Sequence, residues 1–182
     1  MNLITKQLRQ IIKEELDSLL LEEKYSTKGP KIFDSPDQFS LEEFRNIKQR
    51  KPKNAYNSKP KGLWYSCGGA WRDWMEEEQF TPPREFKYAY QIIINRSKML
   101  MINSLEALDA FHEKYSFKKD KYTYLINWKK VQKDGYAGIE ICPYQWDRRH
   151  EYKWYYPWDV ASGCIWNREG IIKVVELDEA TD

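Results

Sequence analysis

Through MNLITKQLRQIIKEELDSLLLEE, the apolar residues Ile4, Leu8, Ile11, Ile12, Leu16, Leu19 and Leu20 recur at three- and four-residue steps. That is the period of an amphipathic helix. Lys, Arg, Gln and Glu fill the other face, and neither Gly nor Pro interrupts it, so the spacing predicts a helix over residues 1–23. Its basic residues come early and its acidic ones late, against the helix dipole. The apolar stripe therefore needs a partner surface, in its own domain or in another chain.

From Lys24 to Lys61 the periodicity stops. KYSTKGPK and QRKPKNAYNSKPK are rich in Lys, Ser, Asn and Pro, a composition that buries little and reads as a basic polar linker. Within it, Ser40 and Glu43 of SLEEF form a capping-box pattern that predicts a short helix from Leu41 to Gln49.

Residues 62–182 carry the core pattern. GLWYS reads as a strand, and WRDWMEEE as a short helix with Trp71, Trp74 and Met75 on one side. KYAYQIIIN and MLMI are β-rich runs separated by a turn at Arg96 and Ser97. Ser104 caps a helix with the stripe Leu105, Leu108, Phe111 and Tyr115. YTYLINW is extended. YAGIEI alternates, with Ile139 and Ile141 on one face and Glu140 on a solvated one. SGCIWN and IIKVVEL close the run, with a turn near Arg168 to Gly170. Many strands with few short helices predict an α+β domain, a small mixed or antiparallel sheet preceded by the N-terminal helix.

The chain has 182 residues, 41% of them hydrophobic, and its net charge is only +2. Length allows one domain with a real core plus an appendage, while so small a charge creates no global field for nucleic acid. A third reading nevertheless lets the basic residues of the linker and exposed rings touch phosphates. No apolar run approaches the ~20 residues that span a bilayer, and no signal-peptide pattern opens the chain, so no membrane partner is expected. Cys67, Cys142 and Cys164 lie far apart without a CxxC pair, which predicts a reducing compartment and no disulfide framework. Two histidines, His112 and His150, offer no His-rich metal site, and none is expected.

Aromatic residues make up 15% of the chain, with Trp and Tyr outnumbering Phe. Three stretches combine rings with small residues: KGLWYS, GYAGIEI and WDVASGCIWN. Rings give a flat heteroaromatic ligand something to stack on, and small residues let it approach the backbone. Trp64, Tyr65 and Ser66, together with Asp159, Ser162 and Trp166, are the candidate wall, and Trp71 and Trp74 the candidate cover. Glu140 and Asp159 are the carboxylates able to bind ribose hydroxyls or stabilise positive charge at an anomeric carbon. The same rings also suit a hydrophobic core, and Glu140 and Asp159 also suit a solvated strand face and a turn cap.

The order of these elements resembles the ADP-ribosyltransferase-like fold of phage and bacterial toxin-type proteins. KGLWYS is similar to the family's first strand, which ends in a polar motif against the nicotinamide of NAD. KYAYQIIINRSKMLMINSLEALDAF resembles its strand pair and capped helix. KKVQKDGYAGIEI resembles a long helix followed by a Gly-Tyr-Asp-Gly-Ile strand, with Ala137 in place of Asp. The resemblance implies an NAD site at Trp64, Tyr65, Ser66, Trp71, Trp74, Ser162 and Trp166, with Glu140 or Asp159 catalytic and a host protein or nucleic acid as target. Active members carry Arg or His where this chain has Trp64-Tyr65-Ser66, and a Glu where it has Ser162-Gly163-Cys164. These departures leave open a non-catalytic protein that grips a protein partner through its rings. The leader is similar to helical leaders of tailed-phage virion proteins, and Leu20-Leu21-Glu22 fits a prohead-protease pattern. That implies a phage protein, in the virion or the host cytoplasm, with an assembly partner for its N-terminal helix.

Overall fold

The computed structural model describes residues 29–55 and 58–177. The helix expected over residues 1–23 lies outside the described residues. The rest is α+β. Nine strands run β1 (Lys31–Ser35), β2 (Leu63–Cys67), β3 (Tyr88–Ile94), β4 (Met99–Ile102), β5 (Ser116–Lys118), β6 (Tyr124–Ile126), β7 (Gly138–Ile141), β8 (Ser162–Ile165) and β9 (Ile171–Leu177). Three helices join them: α1 (Ala70–Glu77), α2 (Leu105–Tyr115) and α3 (Trp128–Lys133).

Seven strands form one sheet in the order β4-β7-β8-β2-β1-β3-β9, and β5 pairs with β6 separately. Only β4 and β7 run parallel in the large sheet. A parallel pair needs a crossover, and this one carries α2, β5, β6 and α3. Ser104 Oγ accepts from the Ala107 N–H and starts α2, whose Leu108, Phe111 and Tyr115 are buried as the periodicity predicts. Asn127 caps α3 in the same manner.

Both faces of the middle strands are covered. One core joins Phe111, Trp128, Ile139, Ile141, Trp154, Trp158 and Trp166. The other joins Leu63, Tyr65, Ile92, Met99 and Ile165, with Phe33, Phe39, Leu41 and Phe44 packed on it. Side-chain alternation therefore sends Trp64 and Tyr65 into opposite cores. It also explains why Glu140, expected in solvent, is 1% exposed: its face of β7 is roofed as well.

Three expectations are corrected here. Residues 29–55 and 58–61 are part of the folded body and not a linker, since β1 pairs with both β2 and β3 and Gln49 is buried against Lys61. No helix forms over Leu41–Gln49. The Glu43 N–H meets the Ser40 carbonyl in a turn, and Phe39, Leu41 and Phe44 go to the sheet instead. The expected long helix before β7 is the six-residue α3. Two of the three cysteines also depart from expectation: Cys67 and Cys142 form a disulfide, whereas Cys164 is a buried free thiol. Among the described residues no helix is long and apolar enough to cross a membrane.

Against α2, Trp154 Nε1 donates to His112 Nδ1 at 2.9 Å, and His112 stacks flat on Tyr152 at 4.0 Å. An indole can only donate, so this geometry needs an unprotonated Nδ1. Burial pushes the His112 imidazole below its ordinary value, opposed by the carboxylate of Asp109. Below the ordinary histidine value of about 6.5, the unfolded chain takes up the proton first. Stability therefore falls as pH falls through that window. Thermal melts between about pH 7 and about pH 5 should show this fall, and His112→Gln should flatten it. An equal slope in the variant would assign the fall to other groups.

Candidate functional site

β1 and β2 are paired only at Lys31↔Cys67 and Ile32↔Ser66. Past that point the ladder stops. β1 goes on with β3, and β2 goes on with β8. The sheet thus opens between Phe33 and Asp34 on one side and Trp64 and Tyr65 on the other. The opening is a cavity of ≈ 300 Å³. Its walls add Lys59, Ser66, Trp71, Phe86, Trp158, Val160 and Ser162.

The rings in this cavity are braced. Trp64 meets Trp158 edge-on with centroids 4.9 Å apart, and Lys59 Nζ stands 4.9 Å over the Trp64 ring. Trp71 projects from α1 and stacks on Trp74 at 4.9 Å, with Phe80 against both. The two tryptophans are three residues apart on one helix face, which is why the pair forms. Such bracing holds a ring in place before a ligand arrives, so less ordering accompanies binding.

Polar atoms in the walls are few. Ser66 Oγ donates to the Gly68 carbonyl and Ser162 Oγ to the Val160 carbonyl. Asp34 is held by Arg72, whose Nε lies 3.1 Å from Oδ1. Trp158 is 1% exposed, and its Nε1–H has no acceptor among the described residues. A buried donor without a partner costs ~1–3 kcal/mol, and this one is sealed from solvent.

Of the residues singled out in the sequence, Trp64, Tyr65, Ser66, Trp71 and Ser162 line the one cavity. Trp74 stands behind Trp71 as its support. Trp166 does not belong: it is fully buried, 6.4 Å from Trp128, and its Nε1 donates to the Tyr136 carbonyl. The alternation of SGCIWN is real, but it turns this ring into the interior of the core that Trp64 and Trp158 also join, off the cavity wall.

The two carboxylates part company. Asp159 sits between the wall residues Trp158 and Val160, half-buried, with a backbone φ of 32°. That region costs a non-glycine residue ~1–3 kcal/mol and is found where surroundings over-determine the chain. Arg149 Nη2 lies 3.5 Å from its Oδ1. Burial raises the Asp159 carboxyl, and Lys59 and Arg149 pull it back.

Glu140 lies outside the cavity wall. Tyr65 reaches across β8 at Gly163, which is the register partner of both Tyr65 and Glu140. The Tyr65 hydroxyl donates to Glu140 Oε2 at 2.8 Å, and Lys31 Nζ lies 3.2 Å from the same oxygen. Burial, and then the Glu140 carboxylate, push the Tyr65 phenol up and keep it a donor. Glu140 anchors the cavity floor from behind and does not face a ligand there.

Sequence reasoning missed Ile32, Phe33, Asp34, Phe86 and Val160, placed Lys59 in a basic linker, and did not put Trp158 in the wall. The one cue was the adjacent pair Ile32-Phe33 in KIFDS, between Pro30 and Pro36. No family model, no curated protein and no solved structure matches the chain.

Proposed function

We propose that the opening between β1 and β2 binds a planar heteroaromatic ligand of nucleoside size, and that NAD enters it by its nicotinamide nucleoside end in an ADP-ribosyltransferase-like arrangement. One observation carries this reading: a braced tryptophan, Trp71, shares a cavity with the Trp64–Trp158 pair. The cavity is at the lower end of ligand-pocket volumes, about 300 to 1,000 Å³, so it suits one ring with its ribose rather than a whole dinucleotide. Lys59 is the wall cation that would meet the phosphates. Asp159, flanked by two wall residues, is the carboxylate placed to steady a ribosyl cation if ADP-ribose is transferred to a host protein or nucleic acid.

Titration with NAD should quench tryptophan fluorescence saturably and raise the melting temperature. Trp71→Ala should weaken binding roughly tenfold, the size of one lost stacking contact. No quenching and no thermal shift at millimolar NAD would remove the reading.

A second reading, partner binding without turnover, draws on the other ring cluster. Trp146 is 66% and Tyr156 51% exposed, and the Arg149 guanidinium lies 5.7 Å and 5.2 Å from their rings. Trp, Tyr and Arg are the usual anchors of protein interfaces. On this reading, NAD leaves the protein unchanged.

A further inference from the structure

Lys31 and Cys67 adjoin the cavity residues Ile32 and Ser66 in the chain, and they belong to a separate group of reactive side chains. The sulfurs of Cys67 and Cys142 and a carboxylate oxygen of Glu140 lie within 4.8 Å of one another. Lys31 Nζ is 3.5 Å from Cys67 Sγ and 3.2 Å from Glu140 Oε2. The two half-cystines differ in access: Cys142 is 1% exposed, whereas Cys67 is only partly buried. Glu140 Oε1 is buried without a hydrogen-bond partner among the described residues.

A disulfide that only tied β2 to the end of β7 would need none of these charges. An apolar surround would serve it as well, since a buried ion pair carries a desolvation cost that its attraction often fails to offset. The arrangement suits sulfur chemistry instead. An ammonium beside one sulfur stabilises it as a thiolate, and a carboxylate beside the other can pass a proton.

We propose that Cys67–Cys142 is an exchange-active disulfide that oxidises a small thiol of the glutathione type, with Cys67 as the sulfur attacked and Lys31 and Glu140 as the groups that handle charge and proton. In the first step the external thiolate bonds to Cys67 Sγ. The S–S bond breaks and its electron pair goes to Cys142 Sγ. That sulfur takes a proton supplied by the Lys31 ammonium through the Glu140 carboxylate, and Lys31 recovers the proton from solvent. In the second step another thiolate attacks the external sulfur of the mixed disulfide. It leaves as the oxidised small disulfide, and Cys67 departs as a thiolate beside the Lys31 ammonium. Two small thiols are oxidised and one protein disulfide is reduced. Burial lowers the Lys31 ammonium below its ordinary value, which eases the release of its proton. The pocket ligand plays no part in this chemistry.

The test uses the full chain in native buffer. Samples are mixed with reduced glutathione, quenched in acid, alkylated and read by intact mass and peptide mapping, with circular dichroism to confirm that the fold persists. The wild-type disulfide should be reduced while the protein stays folded. Cys142→Ser mixed with oxidised glutathione should carry one adduct, on Cys67, with the buried Cys164 unmodified. Glu140→Gln should slow reduction roughly a hundredfold, the usual size of a lost proton-transfer group. If Glu140→Gln does not fold, the wild-type and Cys142→Ser results decide. Reduction that occurs only when denaturant unfolds the chain would overturn the proposal and leave a purely structural cross-link. So would a Cys142→Ser protein without an adduct on Cys67.

Discussion

Lys31→Met should cost about 3–5 kcal/mol of stability at neutral pH, the usual result of stripping one partner from a buried ion pair. Glu140 is 1% exposed, one of its oxygens has no partner among the described residues, and Lys31 supplies the opposite charge at 3.2 Å. Without that ammonium the carboxylate is a buried charge that keeps only the Tyr65 hydroxyl among the described residues. Adding Glu140→Gln to Lys31→Met removes the stranded charge and keeps an acceptor for Tyr65. The double variant should therefore be more stable than the single one, a coupling that urea melts followed by tryptophan fluorescence would measure. A Lys31→Met loss below about 1 kcal/mol would place the pair among ordinary solvated ones.

Gly163→Val should cost about 3 kcal/mol, at the upper end of core overpacking. A Cβ at Gly163 would overlap the ring and hydroxyl of Tyr65, which crosses β8 there to reach Glu140. Neither can yield easily, because β8 is paired on both sides and the Tyr65 hydroxyl is committed. At roughly 2–4 °C per kcal/mol for a chain of this size, the melting temperature should drop by roughly 10 °C. Gly69→Ala is the control: its added Cβ would meet only Asp73, at 3.5 Å, and its change should stay within about 0.5 kcal/mol. Equal shifts in the two variants would mean that Tyr65 moves aside freely.

Much of the second half of the chain was legible because its signals are local. Ser104 sits where a cap belongs, and Leu108, Phe111 and Tyr115 keep the helical step. β2, β3 and β9 fall on runs rich in β-branched or aromatic residues, and β4, β7 and β8 fall on the expected MLMI, YAGIEI and SGCIWN stretches. β1 was illegible for the opposite reason: KIFDS is short and lies amid prolines and lysines. Its strand character comes from pairing with β3, more than fifty residues away. The capping box at Ser40 was outvoted by Phe39, Leu41 and Phe44, which bury more against the sheet than one turn of helix would. For Glu140 the alternation named the correct face, but whether that face meets water depends on what packs over it, a non-local fact. The same holds for the site. Trp64, Tyr65, Ser66, Trp71 and Ser162 were legible as rings and small polar residues at strand ends. Lys59 and Asp34 were not, since only the parting of β1 from β2 brings them in. Nor did a spacing of 75 residues mark Cys67 and Cys142 as partners.

The ligand reading turns on whether the Trp71 ring on the cavity wall meets a ligand ring when the cavity fills. The chain has eight tryptophans, so nitrogen-15 spectra hold a small set of indole N–H resonances, and Trp71→Phe and Trp74→Phe identify the stacked pair at the wall. Addition of NAD, or of nicotinamide mononucleotide alone, should shift the Trp71 indole resonance by ring stacking and that of Trp74 with it. If those two resonances stay fixed at millimolar ligand, the opening between β1 and β2 is not a binding site for this ring.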